Sequence, residues 1–169
     1  MGKLTPWMHP SEIAMIEKYL NKDMTMLEWG SGGSTVHFAP QVKKLISIEH
    51  QMKWFVQVRK SIPKNVDYYY VPANNDGISI KYSTHADYKD YIEVIEVFNT
   101  KFDAVLIDGR ARRFCAEYVI PYLNEGAVVF IHDFYKKNRE RYHKVLELYD
   151  EIDFIKGTVQ GLTVLKLKI

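Results

Sequence analysis

Cysteine is nearly absent, with Cys115 the single example in 169 residues. One thiol cannot build an internal disulfide framework or a cysteine-based zinc site, and it fits a reducing, cytoplasmic compartment. Cys115 itself reads as a small buried hydrophobe. Long apolar runs are missing as well, since no stretch approaches the ~18 consecutive apolar residues of a membrane span. The opening Met1-Gly2-Lys3-Leu4-Thr5-Pro6 lacks a signal-peptide core, and Pro6 stands where a myristoylation motif needs Ser or Thr. Neither charge is in excess: 23 Lys and Arg against 21 Asp and Glu leave +2. Nucleic acid, which asks for a strong basic footprint, is therefore not an expected partner. No internal repeat, low-complexity tract or interdomain linker is visible. What remains is an ordinary globular composition, 47% hydrophobic and 26% charged, in a length that fits one domain spanning 1–169. Whatever it binds must be recognised by loops of that domain.

The order of elements carries more information. Ser11 can cap a helix with Ile13, Ile16 and Leu20 on one stripe, making residues 1–22 an N-terminal cover. Strands follow at Met24 to Glu28, Lys43 to Glu49 and Val66 to Val71, with a Gly/Ser turn, a short helix before Pro40 and a helix over Gln51 to Ile62 between them. Residues 73–91 break the rhythm as an insertion on the substrate side, and Tyr88, Tyr91, Ile92, Ile95 and Phe98 then recur at helical spacing. Phe102 to Ile107 is a continuous apolar run, as expected of a strand buried on both faces. A helix to Leu123, a strand Ala127 to Ile131, a helix from about Tyr135 to Tyr149, and strands near Phe154 to Val159 and Leu162 to Leu167 complete the chain. Strands alternating with helices predict an α/β fold with a mostly parallel sheet and helices on both faces. The last two strands, turning at Gln160-Gly161, must be antiparallel to each other.

Glu28-Trp29-Gly30-Ser31-Gly32-Gly33-Ser34-Thr35 follows a strand and opens a helix, the context of a nucleotide-binding turn. Glu28 discriminates among such turns, because a carboxylate two places before the first glycine would repel a dinucleotide's pyrophosphate. A nicotinamide-dependent oxidoreductase is disfavoured on that ground. The turn resembles motif I of class I S-adenosylmethionine (SAM)-dependent methyltransferases, acidic-x-Gly-x-Gly-x-Gly, with Ser34 replacing the final glycine. That resemblance implies a Rossmann-like seven-stranded sheet ending in an antiparallel hairpin, SAM as cofactor, and Glu28, Gly30, Ser31, Gly32, Ser34 and Thr35 around its methionyl part. Glu49 ends the second strand about 20 residues beyond the turn, where an acidic side chain accepts hydrogen bonds from both ribose hydroxyls. Asn74, Asn75 or Asp76 would edge the adenine. Phe130-Ile131-His132-Asp133-Phe134 looks like the His-Asp segment of polysaccharide-biosynthesis O-methyltransferases of the glucuronoxylan type. The implied acceptor is a sugar or glycan hydroxyl, with a small phenol as the alternative.

Asp108 and Asp133 close adjacent strands ~4.8 Å apart, so their carboxylates can face the methyl donor together. They either share a proton or hold a divalent cation such as Mg²⁺ or Mn²⁺. His132, with an ordinary pKa near ~6.5, is the leading general base, although strand alternation sets it on the opposite face from Asp133. His85 is the reserve base; His9, His37, His50 and His143 have no chemical role in this reading. Arg110, Arg112 and Arg113 follow Asp108, and guanidinium forks recognise carboxylate or phosphate. Arg110 and Arg113, with Tyr82 and His85 from the insertion, are the candidate acceptor-binding residues, while Tyr88 and Tyr91 read first as a helix's core stripe. Trp7, Met8 and His9 can close the pocket. A SAM-binding module without catalysis would keep the glycines and Glu49 but need neither aspartate. A nucleic-acid amino-methylating enzyme would carry an Asn/Asp-Pro-Pro-Tyr motif, which is not present. The sequence leaves a homodimer open.

Overall fold

The computed structural model describes residues 4–75, 83–134, 140–155 and 161–168. Seven strands form one sheet: β1 (Thr25–Trp29), β2 (Lys44–Glu49), β3 (Val66–Tyr70), β4 (Phe102–Ile107), β5 (Leu123–His132), β6 (Tyr149–Ile155) and β7 (Leu162–Leu167), in the order β3-β2-β1-β4-β5-β7-β6. The first five are parallel. β7 inserts between β5 and β6, antiparallel to both. The expected seven-stranded sheet with its closing antiparallel hairpin is therefore the observed one. Among the described residues, no helix is long and apolar enough to cross a membrane.

Alternation along the strands sorts side chains into two cores. Leu27 and Trp29 of β1, with Val105 and Ile107 of β4 and Val129 and Ile131 of β5, face one side. There they pack on Tyr91 and Ile92 of α4 (Lys89–Glu93) and on Cys115 and Ala116 of α5 (Arg112–Tyr118). Met26, Leu106 and Phe130 face the other side, with Ile16 of α1 (Pro10–Tyr19) and Phe38 of α2 (Gly33–Phe38). Because β2 and β4 pair with opposite edges of β1, strand order reverses there. A crevice beyond the carboxyl ends of β1 and β4 is the consequence.

Three elements differ from the sequence pattern. α3 (Met52–Val58) is an α-helix only that far and tightens into a 3₁₀ turn over Arg59–Ser61. α6 (His143–Leu148) ends before Tyr149, which starts β6 five residues earlier than the Phe154 expected from the sequence. Polar residues Asp150 and Glu151 and the 40% exposed Ile152 give this edge strand no clean alternation, and a register shift between Glu151 and Asp153 breaks it further. Residues 135–139 and 156–160, expected as helix start and strand end, lie outside the described residues. At the other end His9, not Ser11, caps α1, and its backbone N–H donates to Glu12 at 2.8 Å in a capping box.

Phe130 is fully buried in the middle of β5, its ring 6.0 Å edge-on from Tyr19 of α1. Phe130→Ala should cost about 3–5 kcal/mol by leaving a cavity between sheet and cover helix. Urea unfolding midpoints of the two proteins measure it.

Candidate active site

Two strand-end turns touch where the crevice opens. Gly30 has φ +92°, and a Cβ there would lie 2.4 Å from the backbone nitrogen of Gly109. Only glycine allows both the conformation and the approach. The N-terminal arm lies over the same turn, with the Thr5 carbonyl oxygen 1.9 Å from where a Cβ on Gly33 would stand. Trp54 of α3 donates its indole N–H to the Ser31 carbonyl at 2.5 Å. Together they border a cavity of about 670 Å³. Gly30, Ser31, Gly32, Ser34, Glu49 and Trp54 line one half of it. Asp108, Arg110, Arg112, His132 and Asp133 line the other.

Glu28 is not in that lining, although the resemblance put it beside the cofactor. Strand alternation turns it inward with Met26 instead, fully buried. Ser34 donates to one carboxylate oxygen at 2.6 Å; Thr35 and Ser47 donate to the other at 2.5 and 2.6 Å. The carboxylate fastens the start of α2 and β2 to β1, and Thr35 is buried with it rather than facing the cavity. Burial pushes the Glu28 carboxyl up to about 7 against the lowering by Ser34, Ser47 and Thr35, with the nearby Asp108 charge adding to the rise.

Glu49 does line the cavity. Its Oε2 accepts from the Ser31 backbone N–H at 3.1 Å and hydroxyl at 2.7 Å, and its Oε1 accepts from the backbone N–H groups of His50 and Gln51 at 2.9 and 2.8 Å. Burial alone would raise its pKa, but these donors and the His50 ring outweigh it and hold the carboxyl below its ordinary value. An anionic acceptor of hydrogen bonds is thus kept beside the glycine turn.

At the other half the chain places Asp108, His132 and Asp133 with ligand-capable atoms within 4.8 Å of one another. Alternation predicted that His132 and Asp133 would diverge; they converge because Asp133 has left the strand, with φ +55° in the left-handed region. Arg112 stands on both carboxylates, 3.4 Å from Asp108 and 2.7 Å from Asp133, and also donates to the backbone carbonyls of Gly109 and His132. A divalent cation on these two carboxylates would have to displace or share them with this guanidinium. The cluster fits an arginine-bridged carboxylate pair better than a metal centre.

His132, expected as the general base, has both ring nitrogens beside carboxylates. Its Nδ1 lies 2.8 Å from Asp108 and its Nε2 3.3 Å from Glu12, and the side chain is 2% exposed. Neither ring nitrogen is left to meet an acceptor. Burial pulls the imidazole pKa down, but the hydrogen bond and charge of Asp108 and the charge of Asp133 overcome that and raise it. Asp108, 22% exposed, and Asp133, 31% exposed, present more side-chain surface to the cavity than the buried His132.

Several expected residues stand elsewhere. Asn74 exchanges hydrogen bonds with Asp90 at 2.8 and 2.9 Å, and His85 lies 3.6 Å from Glu93 with its ring against Phe114. Arg113 lies over the Phe114 ring and donates to the Ser83 carbonyl. None of these lines the cavity, and neither does any described residue of 73–91. Tyr82 and Asp76 lie outside the described residues. Tyr88 and Tyr91 are buried core. Of the residues the sequence did not single out, Trp54 and His50 line the cavity and Glu12 backs His132. Reading Ser11 as the cap hid the place of Glu12, three residues after the actual cap His9.

No family model and no curated protein matches this chain. Solved structures do. A methyltransferase-like protein from Silicibacter pomeroyi superposes with TM-score 0.71 at 20% identity, covering 97% of this chain and 89% of that one. A ribosomal protein L11 methylase from Lactobacillus delbrueckii subsp. bulgaricus gives 0.67 at 13%, covering 98% and 82%. A putative methyltransferase from Streptococcus mutans, solved in complex with SAH, gives 0.62 at 11%, covering 96% and 100%. At such identities the likeness establishes the fold, that of class I SAM-dependent methyltransferases.

The buried carboxyl generates a pH prediction. With Glu28 at about 7 folded and 4.5 as its ordinary value, the native state keeps a proton between those pH values that the unfolded chain has released. Stability therefore falls as pH rises through that window and levels above it, by about 3 kcal/mol for this group. Urea midpoints at pH 5 and pH 8 should show that loss in the wild type and a loss smaller by that amount in Glu28→Gln. Equal losses in the two proteins would place Glu28 in its ionised form throughout.

Proposed function

We propose that residues 1–169 form one cytoplasmic SAM-dependent methyltransferase domain that transfers a methyl group to the hydroxyl of a small-molecule or glycan acceptor. The observation that carries this reading is the single cavity joining Glu49, beside the glycine turn, to Asp108 at the end of β4. Glu49 suits the ribose diol: two hydroxyl donors can replace the Ser31 hydroxyl now on its Oε2. Gly30 and Gly32 let the ligand approach the backbone. The cofactor supplies an electrophilic methyl group on a sulfonium; the protein must orient the acceptor and remove its proton.

Asp108 is the group placed to remove it. One of its oxygens is held by His132 and Arg112. The other is available to the acceptor hydroxyl and would take its proton as the acceptor oxygen bonds to the methyl carbon and the carbon–sulfur bond breaks, its electron pair staying on the sulfur of the departing thioether. His132 acts through Asp108, fixed from behind by Glu12, and Arg112 keeps Asp108 and Asp133 from repelling each other. A non-catalytic SAM-binding module would have no use for this buried arrangement. Between a sugar and a phenol, the sugar rests on the likeness of Phe130 to Phe134 to the polysaccharide enzymes, and an acceptor screen with labelled SAM across sugars, phenols and oligonucleotides decides.

Calorimetry should show SAM and its demethylated product binding the wild type, and Glu49→Ala weakening both by about 1–3 kcal/mol. Undiminished affinity would remove Glu49 from the site. Asp108→Asn should keep cofactor affinity and lose at least ~100-fold in turnover of whichever acceptor the screen finds. Because Arg112 already bridges the carboxylates, activity should survive a chelator; activity abolished by chelation and restored by Mg²⁺ or Mn²⁺ would reinstate the metal.

A further inference from the structure

The three arginines after Asp108 are used differently. Arg112 is committed to Asp108, Asp133 and two backbone carbonyls, and Arg113 to the Phe114 ring and the Ser83 carbonyl. Arg110 lines the cavity and is half-buried, yet among the described residues no carboxylate, carbonyl or ring takes its guanidinium. Its backbone is held firmly. Gly109 before it is wedged between Gly30 and the Tyr91 hydroxyl, Ala111 after it has φ +53°, and its own carbonyl accepts from the Cys115 thiol at 3.7 Å. A rigid backbone thus presents an unpaired cation to the cavity.

The carboxylates around it are engaged elsewhere, apart from the second oxygen of Asp108, which the proposed function gives to the acceptor hydroxyl. Glu49, at the far half, is already saturated by Ser31, His50 and Gln51. Asp133 and one oxygen of Asp108 face Arg112. A guanidinium half-withdrawn from water gains most from a planar oxyanion that its fork can grip with two hydrogen bonds. Trp7 lines the same cavity with its indole 88% exposed, a large apolar surface that a ring can cover.

Resting on the function proposed above, we infer that the acceptor is a ring compound bearing a phosphate or carboxylate, with Arg110 gripping the oxyanion and Trp7 covering the ring. The test uses protein saturated with S-adenosylhomocysteine and follows the arginine side-chain N–H signals by NMR. Inorganic phosphate and glucose 6-phosphate should shift the Arg110 signal in the wild type, and glucose should not. Arg110→Gln should weaken both anions about 10-fold or more, the loss expected of a charge-assisted pair, and Arg110→Lys should restore part of it. Trp7→Ala should weaken glucose 6-phosphate and leave inorganic phosphate unchanged; equal effects on the two overturn the role of the ring. Calorimetry on Arg110→Gln supplies the opposing outcome, because a fall in S-adenosylhomocysteine affinity would assign Arg110 to the cofactor's carboxylate and overturn the inference. Anions that fail to bind the wild type, or bind Arg110→Gln equally well, overturn it too. A wild type that does not bind S-adenosylhomocysteine at all defeats the cofactor reading itself, before any anion is added.

Discussion

A carboxylate buried in the central strand is the constraint on which the rest depends. β1 is covered on both faces, so alternation must send Glu28 into one of the two cores, and it goes with Met26 toward α2. Three hydroxyls meet it there, from Ser34, Thr35 and Ser47. Two belong to the first turn of α2 and one to β2, so a single side chain fixes where the helix starts and how the glycine turn between them is drawn. The elevated Glu28 pKa measures what remains uncompensated after three strong donors. A hydrophobic residue would remove that cost and lose the tie.

A second electrostatic balance shapes the opposite half of the cleft. Asp108 and Asp133 end neighbouring strands, and Arg112 stands between their carboxylates, 3.4 Å from one and 2.7 Å from the other. His132 extends this network from the cavity wall to Glu12 on the cover helix, 120 residues away in sequence. The N-terminal helix thereby backs the cavity wall as well as covering the core.

The parts legible in sequence were those set by local pattern. Buried strands announce themselves as apolar runs, as at Phe102 to Ile107, and the glycine turn with Glu49 follows from spacing along the chain. β6 was illegible because an edge strand with a register shift and polar residues on both sides has no period to detect. The misplaced site residues share a different cause. Glu28 and Thr35 were assigned by motif, whereas strand parity and mutual hydrogen bonding turned them inward. His132 and Asp133 were judged by strand alternation, which ceases once a residue adopts a left-handed conformation. Glu12 and Trp54 reach the site through contacts between distant segments, for which one sequence carries no signal.

In the proposed cofactor half a polar contact serves discrimination, while apolar burial supplies the larger share of affinity. Glu49 enters the unliganded state already paired, so a ribose hydroxyl on Oε2 would exchange for the Ser31 hydroxyl rather than for water. Such an exchange conserves the number of hydrogen bonds, so the about 1–3 kcal/mol expected of Glu49 is the smaller share beside the burial of a nucleoside in the cavity. A ligand lacking the diol leaves the Ser31 contact in place and forfeits little on that oxygen, whereas one carrying a phosphate meets a carboxylate that its donors keep ionised. Ser31 is also 2.6 Å from the Tyr68 hydroxyl, which offers it a partner once Glu49 is taken. On the function and acceptor proposed, the turn would release Glu49 to a diol while repelling anions there, and oxyanion binding would fall to Arg110.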